Sequence, residues 1–210
     1  MNDVSFEERV IHVATTQAPL YQSIYVDHEY LLCSPAFLKN SYYILSAKPD
    51  NYQHLIGVHS LISAKDFFNK CLSQTLSTSD FDFNKRGCSS KSVKGSVRRK
   101  INALPFMMNM LNSSLIVQET FNKNKVSCAL ASSDNQITVG YVSCGVVRPM
   151  TLLLKNELDP SLSHPVSLIL RKKAGEAKFN DILVGTPEIF NAYKPLLNAL
   201  VDERIVSSYL

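Results

Sequence analysis

The chain has 210 residues, 45% of them hydrophobic and 19% charged, which is enough apolar material for one sizeable core and too much for a disordered protein. Its 7 Gly and 9 Pro exclude collagen-like repeats, and no apolar run approaches the roughly 20 residues that cross a bilayer. The net charge is +4, yet seven basic residues (Lys85, Arg86, Lys91, Lys94, Arg98, Arg99 and Lys100) stand in one stretch without an acid, and removing them reverses the sign of the whole.

Met1 to Glu8 hold neither a basic n-region nor an apolar h-region. No secretory signal is therefore expected, and the expected setting is the cytoplasm without membrane contact. The five cysteines, Cys33, Cys71, Cys88, Cys128 and Cys144, are odd in number and never spaced as CxxC. They read mostly as core thiols, not as a disulfide framework or a zinc site.

Ser5 and Glu8 have capping-box spacing, so a helix is expected from Phe6, with Val10, Val13 and Ala14 on one face. Pro19 should kink it or begin a second segment reaching about Val26, giving a helical arm over 1–28. From Tyr30 the pattern becomes strand-like, with Leu31-Leu32-Cys33 and Tyr42 to Leu45 as runs. Pro49-Asp50-Asn51 reads as a turn and Tyr52 to Val58 as a further strand. Ser63 and Asp66 mark a second capping box, followed by a helical stripe of Ala64, Phe67, Phe68, Cys71 and Leu72. The basic stretch contains Gly87, Ser89, Ser90, Ser92, Gly95 and Ser96 and reads as a flexible loop leading into a helix after Ser96. That helix would carry Val97, Ile101, Leu104, Met108 and Leu111 inward, bend at Pro105, and hold Arg98, Arg99 and Lys100 in its first turn, the wrong sign for the helix dipole.

Beyond Ser114 six short runs alternate with turns: Leu115–Phe121, Val126–Ala131, Ile137–Ser143, Met150–Leu154, Val166–Arg171 and Phe179–Val184. Asn122-Lys123-Asn124, Ser133-Asp134-Asn135 and Asp159-Pro160 supply turns, and such short connections imply antiparallel pairing. Thr186-Pro187-Glu188 opens a last helix with Ile189, Phe190, Tyr193, Leu197 and Leu200 on its apolar side. The expectation is an α+β fold, helices packed on a mainly antiparallel sheet, in a single domain with a core over 29–185 and a C-terminal helix over 186–210.

There is no GxxxxGK[ST] loop, GxGxxG, GxSxG or HExxH motif, which argues against ATP, NAD and zinc; no metal or cofactor is expected. A mobile basic loop is suited to phosphate, because Lys and Arg release condensed counterions when they neutralise a nucleic-acid backbone. Among the five histidines, His12, His28 and His164 fall in or beside the arm or in a loop. His54 lies in an apolar segment beside Gly57, where a glycine admits a close neighbour, and its ordinary pKa near 6.5 suits proton transfer at neutral pH. His59 would point to the opposite strand face from His54.

Three segments taken in order, Tyr52-Gln53-His54-Leu55-Ile56-Gly57-Val58, Ser63-Ala64-Lys65-Asp66-Phe67-Phe68-Asn69-Lys70-Cys71-Leu72 and Leu76-Ser77-Thr78-Ser79-Asp80-Phe81-Asp82-Phe83, carry a family pattern. Together with Arg148-Pro149-Met150-Thr151-Leu152-Leu153, the chain over roughly 25–185 resembles the phage and mobile-element branch of the barnase/EndoU/colicin/RelE-like nucleases, in its fourth phage-type family. Ile56 stands where the pattern has Thr, removing a hydroxyl beside His54, and Phe68 stands where Tyr is common. The resemblance implies a compact sheet packed by helices and metal-independent RNA cleavage in a sheet-face cleft, where the ribose 2′-OH attacks the adjacent phosphate. Carried onto this chain, it implies proton transfer by His54 and phosphate stabilisation by Arg171, Lys173, Lys94 and Lys100, with a hydrogen bond from Thr151. Such a protein would act as a phage or mobile-element toxin or effector, with RNA as partner and room for a protein inhibitor or antitoxin. The alternative is a non-catalytic relative that binds nucleic acid or a partner protein in defence or counter-defence.

Overall fold

The computed structural model describes residues 4–123 and 126–208; the first three residues of the N-terminal segment and Asn124 of the expected Asn122-Lys123-Asn124 turn lie outside them. In chain order the elements are α1 (Phe6–Tyr21), β1 (His28–Cys33), β2 (Tyr43–Ser46), α2 (Pro49–Ile56), β3 (His59–Ser60), α3 (Ala64–Leu72), β4 (Phe81–Asp82), α4 (Ser90–Met107), β5 (Ile116–Lys123), β6 (Val126–Ser133), β7 (Ile137–Cys144), β8 (Val146–Leu154), β9 (His164–Pro165), β10 (Leu168–Lys173), β11 (Asp181–Val184), α5 (Pro187–Leu197) and α6 (Glu203–Ser208).

The fold is α+β. Among the described residues nine strands form one sheet in the order β11-β10-β1-β2-β8-β7-β6-β5-β9, and β3-β4 form a separate ribbon. Pairing is antiparallel except between β2 and β8, which meet in parallel through Leu45 and Val147. Only residues 166 and 167 separate β9 from β10, although these strands sit near opposite ends of the sheet. The sheet must therefore curl until its ends meet. Hydrogen bonds hold the junction: Val166 N to Leu115 O at 2.8 Å, Ser167 N to Cys33 O at 2.9 Å, and Ser34 Oγ to Pro165 O at 2.8 Å.

The inner face of the curl and helices α1–α4 enclose the main core. Strand β1 alternates between two cores, as a strand buried on both faces must: Tyr30 and Leu32 join the main cluster, while Leu31 and Cys33 join Leu168, Leu170, Phe190 and Leu197 under α5 and α6. Cys33, Cys71 and Cys128 are buried thiols, whereas Cys88 and Cys144 are exposed.

Helix α1 begins as expected, Ser5 Oγ accepting from Glu8 N at 3.2 Å and the Glu8 carboxylate from Ser5 N at 2.8 Å. It passes Pro19 and continues as one wider π turn over Gln22–Val26. At Ser63 the hydroxyl accepts from Asp66 N at 3.1 Å but donates to the Asp66 carboxylate at 2.7 Å, so the reciprocal half of that box differs from the expected one.

Two elements around the basic stretch differ more. Tyr52 to Val58 is not a strand, because its residues lie mainly on helix α2. Pro49 pre-sets the first helical turn, the Asn51 side chain accepts from Lys48 N at 2.8 Å, and Gly57 ends the helix in the left-handed conformation at φ +85°. Tyr52, Leu55 and Ile56, spaced three and four apart, bury one helical face. Helix α4 begins at Ser90 and not after Ser96, capped by Ser89 Oγ accepting from Ser92 N at 3.3 Å. Residues 90–96 are therefore helix, not loop, and Arg98, Arg99 and Lys100 fall in its interior, where the dipole penalty expected of them does not apply. Finally, Phe179 precedes β11 and forms an isolated bridge with Val201.

Candidate active site

Helix period splits the basic stretch in two. Lys94 and Arg98, four apart on α4, turn toward α1: Lys94 Nζ bonds Glu7 at 2.9 Å and lies 4.8 Å from the Phe83 ring centre, and Arg98 stands 5.2 Å from that of Phe6. These two cations are committed to the packing of α1 on α4. Ser96, Arg99 and Lys100 turn the other way, where together with Lys85 they face Thr151 and Glu157 across a cleft of about 290 Å³. Arg86, Lys91 and Arg99 are exposed and, among the described residues, make no ion pair.

Two of these lysines are tied to the C-terminus of α2, whose last carbonyls have no helical partner and sit at the negative end of the helix dipole. Lys100 Nζ donates to the His54 carbonyl at 2.5 Å and Lys85 Nζ to the Gly57 carbonyl at 2.8 Å. The close neighbour that Gly57 admits is the Lys100 stem, since a Cβ at position 57 would lie 2.6 Å from Lys100 Cδ. Burial, with Lys85 adding like charge, pushes the Lys100 ammonium down to about 8.

His54 is in the last turn of α2, and its side chain is exposed. Its pKa lies below the ordinary 6.5 chiefly because partial burial disfavours the charged ring; Lys100 and Lys85 push the same way, against Asp50. Ile56, two residues on, is wholly buried in the main core. A hydroxyl there would point away from the cleft, so the departure at position 56 does not alter the cleft's polar groups. His59 bonds Asp82 at 2.8 Å through Nδ1.

Thr151 is buried on β8 and packs against Gly140, where a Cβ would approach Thr151 Cγ2 to 2.8 Å. Among the described residues its hydroxyl makes no hydrogen bond. Arg171 and Lys173 are not part of this group. They belong to β10, three strand spacings from β8, or about 14 Å across the sheet. Arg171 there bonds Asp181 through Nε at 3.0 Å and Nη2 at 2.5 Å, and the Lys173 amide bonds Glu176 at 3.2 Å. The structure thus brings together Lys85, Arg99, Lys100 and Thr151 in one cleft, with His54 joined to Lys100 through its backbone carbonyl and its ring outside the cleft lining, and places Lys94, Arg98, Arg171 and Lys173 elsewhere. Sequence reasoning missed Ser96 and Glu157. Ser96, Arg99 and Lys100 form an i, i+3, i+4 set that would have shown one helical face had the segment been read as helix.

Among the described residues no three His, Cys, Asp or Glu side chains converge in a way that would hold a metal ion, and no helix is long and apolar enough to cross a membrane. No curated protein and no solved structure matches the chain. A family model does: the one described as phage-Barnase-EndoU-ColicinE5/D-RelE like nuclease4 matches residues 16–179, entering within α1 and ending just before β11. With well over half of its length covered, the chain belongs to this family of nucleases.

Proposed function

We propose that the chain cleaves RNA by a metal-independent route, His54 taking the proton of the ribose 2′-OH as that oxygen attacks the neighbouring phosphorus. The observation that carries this reading is an exposed imidazole, held neutral at pH 7, beside the two ammonium groups that share a cleft with Arg99 and Thr151. A neutral ring can accept the proton. Lys85, Arg99 and Lys100 supply the positive charge that the phosphorane requires. Each ammonium has three donors; Lys100 and Lys85 each spend one on an α2 carbonyl, leaving two for substrate oxygens. Lys100, with its pKa at about 8, stays mostly protonated at neutral pH and is a stronger acid than an ordinary lysine, so it is the group we assign to protonate the leaving 5′-oxygen. The biological setting that fits the family is a phage or mobile-element effector or toxin.

The test is degradation of RNA in EDTA by the wild type, His54→Ala and Lys100→Arg across pH. Chelator should leave the wild type unchanged, and His54→Ala should lose about 10²-fold or more, the size of a general-base contribution. The working forms are neutral His54 and protonated Lys100. Activity should therefore rise through a pKa below 6.5 as His54 deprotonates and fall near pH 8 as Lys100 does. In Lys100→Arg, whose guanidinium does not deprotonate, the alkaline fall should vanish along with much of the rate. Full activity in His54→Ala, or its abolition by EDTA, overturns the proposal.

A further inference from the structure

Arg148 on β8 is a cation to which the fold gives no partner. It is half-buried, its Nε is sealed from solvent without an acceptor, and among the described residues its side chain makes no hydrogen bond or ion pair. Four other partly covered cations meet carboxylates: Lys70 with Asp80, Lys94 with Glu7, Arg171 with Asp181, Lys172 with Glu29. The two Nη atoms are not sealed, so the end of the fork remains open to a ligand.

The register of β8 shows where that fork lies. Three residues apart in a regular strand, Arg148 and Thr151 would point to opposite faces. The irregularity between Gly140 and Tyr141 changes this: Gly140 pairs with Thr151 and Val142 with Arg148, leaving Met150 as the extra residue. Gly140 and Val142 are two apart on β7 and share a face, and so therefore do Thr151 and Arg148. Two residues of strand separate them by about 7 Å, the order of one nucleotide step. A bulge has re-aimed Thr151, a residue of the basic cleft, onto the face of an unpaired arginine.

We infer that Arg148 and Thr151 form a phosphate subsite, which holds the RNA phosphodiester next to the one at the cleft. The guanidinium offers two parallel N–H donors to the non-bridging oxygens, a geometry lysine lacks, and the free Thr151 hydroxyl offers a third. This inference rests on the RNA-cleaving reading for its ligand, while the binding arm of its test requires no turnover.

The experiment compares wild type, Arg148→Gln, Arg148→Lys and Arg148→Met, the last keeping the packed stem in case the polar variant folds poorly. Substrates are an RNA dinucleotide with one phosphodiester and a tetranucleotide with three. Loss of the subsite should raise KM for the tetranucleotide about tenfold, leave its kcat within about threefold, and leave the dinucleotide unaffected, with Arg148→Lys in between. Equal KM values for wild type and variants, or equal damage on both substrates, overturn it. Binding of the labelled tetranucleotide in a His54→Ala background judges the subsite without turnover. There Arg148→Gln should weaken binding about tenfold; unchanged affinity, or no binding by the parent, overturns the subsite. Absence of cleavage with this binding difference intact would instead sink the catalytic reading alone.

Discussion

The Lys100 ammonium is fastened to the His54 carbonyl at 2.5 Å, and the space its stem occupies exists because residue 57 has no Cβ. Gly57 meets two demands at once. Its φ of +85° ends α2 in the left-handed region, which costs an L-residue roughly 1–2 kcal/mol, and its bare α-carbon clears Lys100 Cδ. Two substitutions separate these demands. Gly57→Ala should lose about 1–2 kcal/mol in urea unfolding, from the backbone term, together with RNA-cleaving activity as Lys100 is displaced. Asn tolerates the left-handed region better than Ala, so Gly57→Asn should recover much of the stability and none of the activity. Recovery of both would mean that the Lys100 contact is incidental and only the helix end matters.

Among the elements, α4 carries most of the functional weight, and its two faces predict different phenotypes. Arg99 faces the cleft unpaired, so Arg99→Ala should lower the salt dependence of RNA binding by about 0.7 in the slope of log K against log salt, the share of one phosphate contact on a single strand. Lys94→Ala should leave that slope alone and instead destabilise the fold by about 0.5–1 kcal/mol, through loss of its place over Phe83 and beside Glu7. Anisotropy titrations at several salt concentrations, with urea unfolding of both variants, check the division; equal slopes for wild type and Arg99→Ala would count against the cleft. The late strands were legible from alternation because period-two burial is a local property. Helix α4 was misplaced because Ser90, Ser92, Gly95 and Ser96 have the composition of a loop, and burial of Val93, Val97 and Ile101 outweighs it. Helix α2 was hidden by the aliphatic run Leu55-Ile56-Gly57-Val58, although Pro49 and Gly57 marked its ends. His54 and the basic side chains stood out by type. Arg148 did not, since its importance depends on a bulge that only strand pairing reveals.

At the scale of the molecule, the family match and the folded unit have different limits. The match ends at residue 179, yet β1 and β10 are buried on both faces, and the C-terminal helices cover the second face. Phe190, Leu197, Val201 and Ile205 pack on Leu31, Cys33, Leu168 and Leu170, and Phe179 is clasped between Leu200 O at 2.8 Å and Asp202 N at 2.9 Å. Burying four such side chains contributes roughly 6–12 kcal/mol at about 1.5–3 each, as much as the whole net stability of a typical domain. β10 also closes the curl against β1, the neighbour of β2, which is the strand that meets β8 and its Thr151. A chain ending after residue 185 should therefore fail to fold or should aggregate through the uncovered face, although it contains the entire family match and all the proposed site residues. Phe190→Ala, in the full chain, should cost about 3–5 kcal/mol while leaving the cleft intact, so activity measured well below its unfolding transition should match the wild type. Circular dichroism and urea unfolding read the first result, and RNA cleavage in native conditions reads the second. A truncated chain that unfolds cooperatively near the full-length midpoint would show that α5 and α6 are dispensable to the sheet they cover.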